Sequence, residues 1–172
     1  MKKSKRAKKS NSWKIKQHRD QFFKKSKTLG YRSRASFKLI ELNKKFNFIK
    51  NDSNLLDLGS SPGGWSQIAS QIVKKGKILS IDIKPMNPIK NVEFLNFDIF
   101  NKNCEDKIDF FFRGKIDIII SDMAADTTGI KSLDSIRTNQ LSLKVIKLSS
   151  KILKKNGVLV SKLFMGEDFI EV

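Results

Sequence analysis

From Asn54 onward, short β-branched or apolar runs alternate with segments in which apolar residues return every three or four positions. The runs at 55–59, 78–83, 92–97, 116–121 and 158–164 have the length of strands, and each is nearly continuously apolar rather than alternating. Between them, Ile68, Ile72 and Val73 share one side of a helix predicted over 65–75, and Leu141, Val145, Leu148 and Ile152 form a second helical stripe. Strand, helix, strand is the repeated unit. Strands apolar on both sides need both faces covered, so the pattern predicts a mostly parallel sheet with helices on both faces, a Rossmann-like α/β fold. Ahead of the first strand, Ser33 is predicted to cap a helix running to about Phe46, with Phe37, Ile40 and Leu42 available for burial.

The first strand runs directly into Asp57-Leu58-Gly59-Ser60-Ser61-Pro62-Gly63-Gly64-Trp65, which then opens a helix. Lacking Cβ atoms, Gly59, Gly63 and Gly64 let the backbone turn tightly at the carboxyl end of the strand, the usual ligand crevice of such sheets. Asp82 ends the second strand, where a carboxylate can accept both ribose hydroxyls of an adenosine. Asp98 follows the third, placed to accept from an adenine amino group. The glycine spacing is not the G-x-G-x-x-G of a dinucleotide site. A nucleoside cofactor without phosphates fits better, and an NAD-dependent oxidoreductase fits worst.

Composition narrows the partner. The 172 residues are 39% hydrophobic and 30% charged, which suits one folded domain, and no apolar run is long enough to span a bilayer. No apolar stretch follows the Lys-rich N-terminus before Phe22 and Phe23, so a secretory signal is not expected and a cytoplasmic protein is. Cys104 and His18 are the only residues of their kinds, which rules out an internal disulfide, a cluster of soft metal ligands and histidine-dependent triads; no metal is expected. The net charge of +18 is uneven, because residues 1–50 hold 18 Lys or Arg against Asp20 and Glu41. That is +16, and the other 122 residues carry +2. A polyanion is the expected partner. Trp13, Phe22, Phe23 and Tyr31 are interleaved with the cations, as stacking on bases would use them, and the arm lacks the apolar face a membrane surface would need. Residues 1–30 therefore read as a basic arm, RNA-contacting or partly disordered, ahead of a domain at 31–172.

Four segments, 57–67, Ser121-Asp122-Met123-Ala124, Lys162-Leu163-Phe164-Met165-Gly166-Glu167 and Arg34-Ala35-Ser36-Phe37-Lys38-Leu39, occur in the order of the FtsJ/RrmJ ribosomal RNA methyltransferases, which the chain resembles over residues 31–169. The resemblance implies S-adenosylmethionine as cofactor, held by Gly63, Trp65, Asp82, Asp98 and Asp122. It further implies a Lys-Asp-Lys-Glu tetrad for 2'-O-methylation of ribose, of which Lys38, Asp122 and Lys162 match the first three members. Lys162 is then the proton acceptor, Asp122 orients the lysines beside the methyl donor, and Lys38 holds or polarises the ribose hydroxyl. A lysine accepts a proton only when burial or a nearby like charge weakens its hold on its own. In the family the glutamate lies in closing antiparallel strands beyond the Lys162 segment, and neither Glu167 nor Glu171 is a convincing substitute. The C-terminal strands are therefore expected to be missing.

The implied substrate is a uridine of large-subunit (23S) ribosomal RNA in the assembling ribosome, methylated by a monomer with no membrane and no DNA partner. Two alternatives stay open. One is a transfer RNA 2'-O-methyltransferase, which would share the tetrad. The other is a non-catalytic RNA-binding or ribosome-assembly protein that keeps the fold and the arm without turnover.

Overall fold

The computed structural model describes residues 21–126 and 128–163, so Trp13, Phe164, Glu167 and Glu171 lie outside the described residues. The elements run α1 (Gln21–Thr28), α2 (Ala35–Phe46), β1 (Leu55–Leu58), α3 (Gly64–Ile72), β2 (Ile78–Asp82), β3 (Glu93–Asn96), α4 (Cys104–Phe112), β4 (Ile116–Ser121), α5 (Lys131–Ile152) and β5 (Leu153–Ser161). The strands form one parallel sheet in the order β3-β2-β1-β4-β5. The chain thus winds outward from β1 in one direction and from β4 in the other. Leu58 pairs with Ile81 of β2 and with Ser121 of β4, which brings the ends of the three central strands to one level.

Alternation along β1 explains why its residues are all apolar but one. Leu55 joins Leu39, Trp65, Ile68, Ile78, Ile118 and Ile120 under α2 and α3, while Leu56 and Leu58 join Leu79, Ile81, Ile108, Ile119, Val145 and Leu148 under α4 and α5. Burial is complete in β1 and weakens at the edges, where β3 and most of β5 are exposed or half-buried. Among the described residues, no helix is long and apolar enough to cross a membrane.

Several sequence expectations shift. Ser33 does not cap α2: the N-cap is Arg34, in the right-handed helical region and without a side-chain cap bond. The Ser33 hydroxyl instead packs against Gly64, where a Cβ would collide with it. Leu39 is the fully buried apolar residue of α2, beside the equally buried Ser36, whereas Phe37, Ile40 and Leu42 are only half-buried. The helix predicted over 65–75 stops at Ile72, because Val73 turns extended. β5 begins at Leu153, immediately after α5, and reaches register with β4 only after an irregularity between Leu153 and Val158. Helix α4 has no counterpart in the sequence reading, although Cys104, Ile108 and Phe112, its buried residues, recur at helical spacing.

Candidate active site

Where the winding reverses between β1 and β4, the loops leaving the strands enclose two adjoining cavities, both lined by Gly59, Ser61 and Asp122. One, of about 390 Å³, is lined by Asp82, Lys84, Phe97, Asp98, Phe100 and Met123 among others. The other, of about 300 Å³, takes Phe23, Arg32, Arg34, Asp57, Ser60 and Trp65 into its wall.

The turn between β1 and α3 is shaped by close approach of protein groups. Gly59 has φ +77° and Gly63 φ +104°, both in the left-handed region that favours glycine. A Cβ on Gly59 would collide with the Met123 side chain, and one on Gly63 would come within 2.9–3.0 Å of Met86 Sδ, Arg32 Cδ and Ile89 Cδ1. Gly63 also donates its N–H to Ser60 O at 2.6 Å, and its carbonyl accepts the Gln67 N–H at 2.9 Å. Its role is to form the loop, and it lines neither cavity directly. Trp65 is likewise engaged: the ring is 6% exposed and its Nε1–H donates to Ala35 O at 2.8 Å, tying α3 to the start of α2.

Arg32 and Gln67 are functional neighbours that motif reading missed. The Arg32 guanidinium donates to Asn87 O at 2.5 Å and Pro88 O at 2.6 Å, and its backbone N–H donates to Gln67 Oε1 at 3.0 Å. Gln67 Nε2–H reaches Gly30 O at 2.9 Å, so the two residues lace the α1–α2 connection to the glycine loop and to the segment after β2. Gln67 stood within the 57–67 motif, but only the folded chain reveals its partner.

Asp82 ends β2, as expected, and its carboxylate accepts the Ser61 N–H through Oδ2 and the Lys84 N–H through Oδ1, both at 2.8 Å. Each oxygen keeps a further lone pair for a ligand. Asp98 is exposed, accepts the Phe100 N–H at 2.9 Å through Oδ1, and shares the larger cavity with Asp82. Asp57 is buried, with Oδ2 accepting from Ser66 Oγ at 2.5 Å and Ser66 Oγ in contact with Ser80 Oγ at 2.8 Å. Burial pushes its carboxyl up to about 7, the Ser66 bond pulls against this, and the Asp122 and Asp82 charges add to the rise.

Lys162 and Asp122 come together as expected. Lys162 follows β5 by one residue and donates its N–H to Ser121 O at 2.9 Å, so the two functional side chains leave adjacent strands at the same level. Lys162 Nζ lies 3.6 Å from Asp122 Oδ1, with the side chains 29% and 23% exposed. That distance is an ion pair but too long for a hydrogen bond. Lys38 is not drawn in: it is exposed on α2, one turn beyond the Arg34 and Ala35 that line the smaller cavity, and it makes no ion pair among the described residues.

Ser60 Oγ and Asp122 Oδ1 are buried in this crevice without hydrogen-bond partners, which suits a polar ligand between them. A doubly wound parallel sheet with carboxylates at successive strand ends and a crevice at its switch point is a Rossmann-like arrangement suited to a nucleoside ligand. The chain belongs to the FtsJ-like methyltransferase family, whose model matches residues 31–172. It is 42% identical over 163 residues to the ribosomal RNA large subunit methyltransferase E of Pelagibacter ubique, covering 95% of this chain and 80% of that one. The protein of the same description from Methanosphaera stadtmanae is 40% identical over 165 residues, covering 93% and 80%. A crystal structure of a ribosomal RNA methyltransferase from Plasmodium falciparum superposes with a TM-score of 0.75 at 34% identity, over 82% of each chain. The methyl donor is S-adenosylmethionine, as for the family.

Proposed function

We propose that the protein transfers a methyl group from S-adenosylmethionine to a ribose 2'-hydroxyl of large-subunit (23S) ribosomal RNA, at a uridine in the assembling ribosome. The observation that carries this reading is the Asp122–Lys162 ion pair, in which Asp122 lines both cavities. The cofactor supplies a methyl group activated on a sulfonium. Asp82 and Asp98 hold its nucleoside part in the larger cavity, and Trp65 and Gly63 fix the loop around the remainder. Lys162 takes the 2'-hydroxyl proton, Asp122 keeps the ammonium that forms in place, and Lys38 meets the acceptor from α2. Positioning supplies much of the rate in such a displacement.

The basic arm, residues 1–30, grips the RNA backbone. Its last turns support this role: α1 docks on α2 through the Phe22–Phe37 ring contact at 5.8 Å, joined by Tyr31 of the connection at 5.4 Å from Phe37, and it leaves Lys24, Lys25 and Lys27 exposed beside the cavity that Phe23 lines. Residues 31–172 form the methyltransferase domain, acting as a cytoplasmic monomer with no membrane or DNA partner. The deciding experiment is tritiated methyl transfer from S-adenosylmethionine to undermethylated large subunits, transfer RNA and free ribosomal RNA in parallel. Label appearing first in large subunits, at a ribose 2'-oxygen, is the expected result. Preferential labelling of transfer RNA would move the substrate, and cofactor binding without transfer to any RNA would make the protein a binding factor.

A further inference from the structure

Two successive turns of α5 hold the two sides of the Asp122–Lys162 pair. Thr138 is fully buried, and its Oγ1 accepts the Ala125 N–H at 3.2 Å, three residues beyond Asp122. One turn further along, Ser142 is 3% exposed and shares its hydroxyl proton between Thr138 O and Lys162 O, both at 3.1 Å. A buried serine or threonine inside a helix ordinarily bonds only to its own preceding turn. Here both hydroxyls reach out of the helix, each to a loop that carries one member of the pair. Asp134, one turn before Thr138, completes the row by accepting from Thr128 N, Thr128 Oγ1 and Gly129 N at 2.6, 2.7 and 3.2 Å, which secures the end of the loop that begins with Asp122.

The Lys162 backbone is therefore tied at both ends, its N–H to Ser121 O and its carbonyl to Ser142 Oγ. We propose that Thr138 and Ser142 are positioning residues for methyl transfer, setting the separation of Lys162 Nζ and Asp122 Oδ1 from one rigid helix. The inference rests on the functional reading above, in which Lys162 takes the proton. Neither Thr138 nor Ser142 lines a cavity, and of the backbone groups their hydroxyls hold only Ala125 does, at the larger one, so their loss is expected to change turnover more than cofactor binding.

The test compares the full chain with Ser142→Ala, Ser142→Thr and Thr138→Val in two assays. The first measures kcat for methyl transfer and calorimetric affinity for S-adenosylmethionine. The second, free of RNA, measures by mass spectrometry how fast an amine-acylating reagent modifies Lys162, relative to the exposed Lys44 and Lys45 of α2. Ser142→Ala and Thr138→Val are expected to lower kcat by about 5- to 30-fold, with cofactor affinity within about twofold, because misplacement of a reacting group by a fraction of an ångström has effects of this size. Both should also change the Lys162 acylation rate by at least about threefold in line with kcat, and Ser142→Thr should restore it. Unchanged kcat and acylation overturn the proposal, even if the variants melt earlier. If the parent chain transfers methyl to no RNA, the functional reading fails, and the acylation result still decides the positioning role.

Discussion

The cavity on the Asp82 side and the cavity on the Arg32 side meet at Gly59, Ser61 and Asp122, yet they are assembled in different ways. The first takes Asp82 from the end of β2, Phe97 and Asp98 from just beyond β3, and Met123 from just beyond β4. Every one of these lies within two residues of a strand end, so the sheet alone places it. The second takes Phe23 from α1, Arg32 and Arg34 from the α1–α2 connection, and Asp57 from β1. It exists only once α2 has packed on α3 through Leu39, Ser36 and the Trp65–Ala35 bond. One lobe is a property of strand ends and the other of long-range docking. Lesions in the two should therefore differ in kind, those at the strand ends falling on cofactor contacts directly and those in the docked lobe on the packing that forms it.

The largest effect is expected at the junction. General-base assistance is typically worth about 100- to 10,000-fold, so Lys162→Ala should lower single-turnover transfer by that order while calorimetric affinity for S-adenosylmethionine barely changes. Lys162→Arg should fail to rescue, because a guanidinium keeps its proton at any workable pH. Near-normal transfer by the arginine variant would turn Lys162 into a charge that only positions.

The next effect belongs to the docked lobe and is read as stability against pH. The folded chain holds the Asp57 proton more tightly than the unfolded chain, with the carboxyl up from 3.8 to about 7. The stabilisation is fully present below about pH 4 and is lost as pH rises to about 7, a change of up to about 4 kcal/mol. Asp57→Asn removes this titration. Urea unfolding of the two proteins should show the parent losing ground to the variant between about pH 4 and 7, with a constant difference above that. A difference that does not vary with pH would mean Asp57 is ionised throughout, and the lobe less dry than its 1% exposure indicates.

At the strand-end lobe, Asp82→Ala should weaken S-adenosylmethionine binding by about 1.5 to 3 kcal/mol, since hydrogen bonds to a charged acceptor are lost. The same change frees the Ser61 and Lys84 N–H groups. Asp82→Asn, which keeps one acceptor oxygen, separates the ligand's share from the loop's, and calorimetry on both variants reads it. Unchanged affinity in both would remove Asp82 from the cofactor site.

The same contrast sets what was legible in the sequence. β1, β2, β3 and β4 are read to within one residue because their apolar runs and the polar residues that end them are local signals; Asp82 and Asp98 came with them, and Asp122 came with the resemblance. The Asp122–Lys162 pairing followed from resemblance and is visible in the register of β4 against β5. Arg32, Gln67, Thr138 and Ser142 were not legible. Their partners lie between 13 and 56 residues away along the chain, and a serine or arginine carries no periodic signal announcing such a bond. Lys38 shows the converse: its motif is clear, but the exposed side chain gives no local reason for a role without an acceptor RNA. Helix α4 was missed although Cys104, Ile108 and Phe112 mark one face, because the aromatic run at its end obscures the period.

The smallest effect is expected at the rim of the strand-end lobe. Lys84 Nζ and Asp126 Oδ1 pair at 2.8 Å between the loops after β2 and β4, and both residues line the larger cavity. The Asp126 hydrogen bond and charge raise the Lys84 ammonium above its ordinary range, but the side chains are 59% and 88% exposed. Water screens such a pair, and exposed ion pairs are typically worth about 0 to 1 kcal/mol. Asp126→Asn should therefore change S-adenosylmethionine affinity by no more than about fivefold, against the larger loss at Asp82. Whatever effect remains should vanish near about 1 M salt, where the screening length is about 3 Å, while the Asp82→Ala defect should persist because those bonds lie at a strand end partly shielded from solvent. A calorimetric titration of both variants at low and high salt reads the difference directly. If Asp126→Asn costs as much as Asp82→Ala and salt does not erase it, the cofactor is held by a clasp between two loops, and the division between a sheet-made lobe and a docked lobe no longer describes the site.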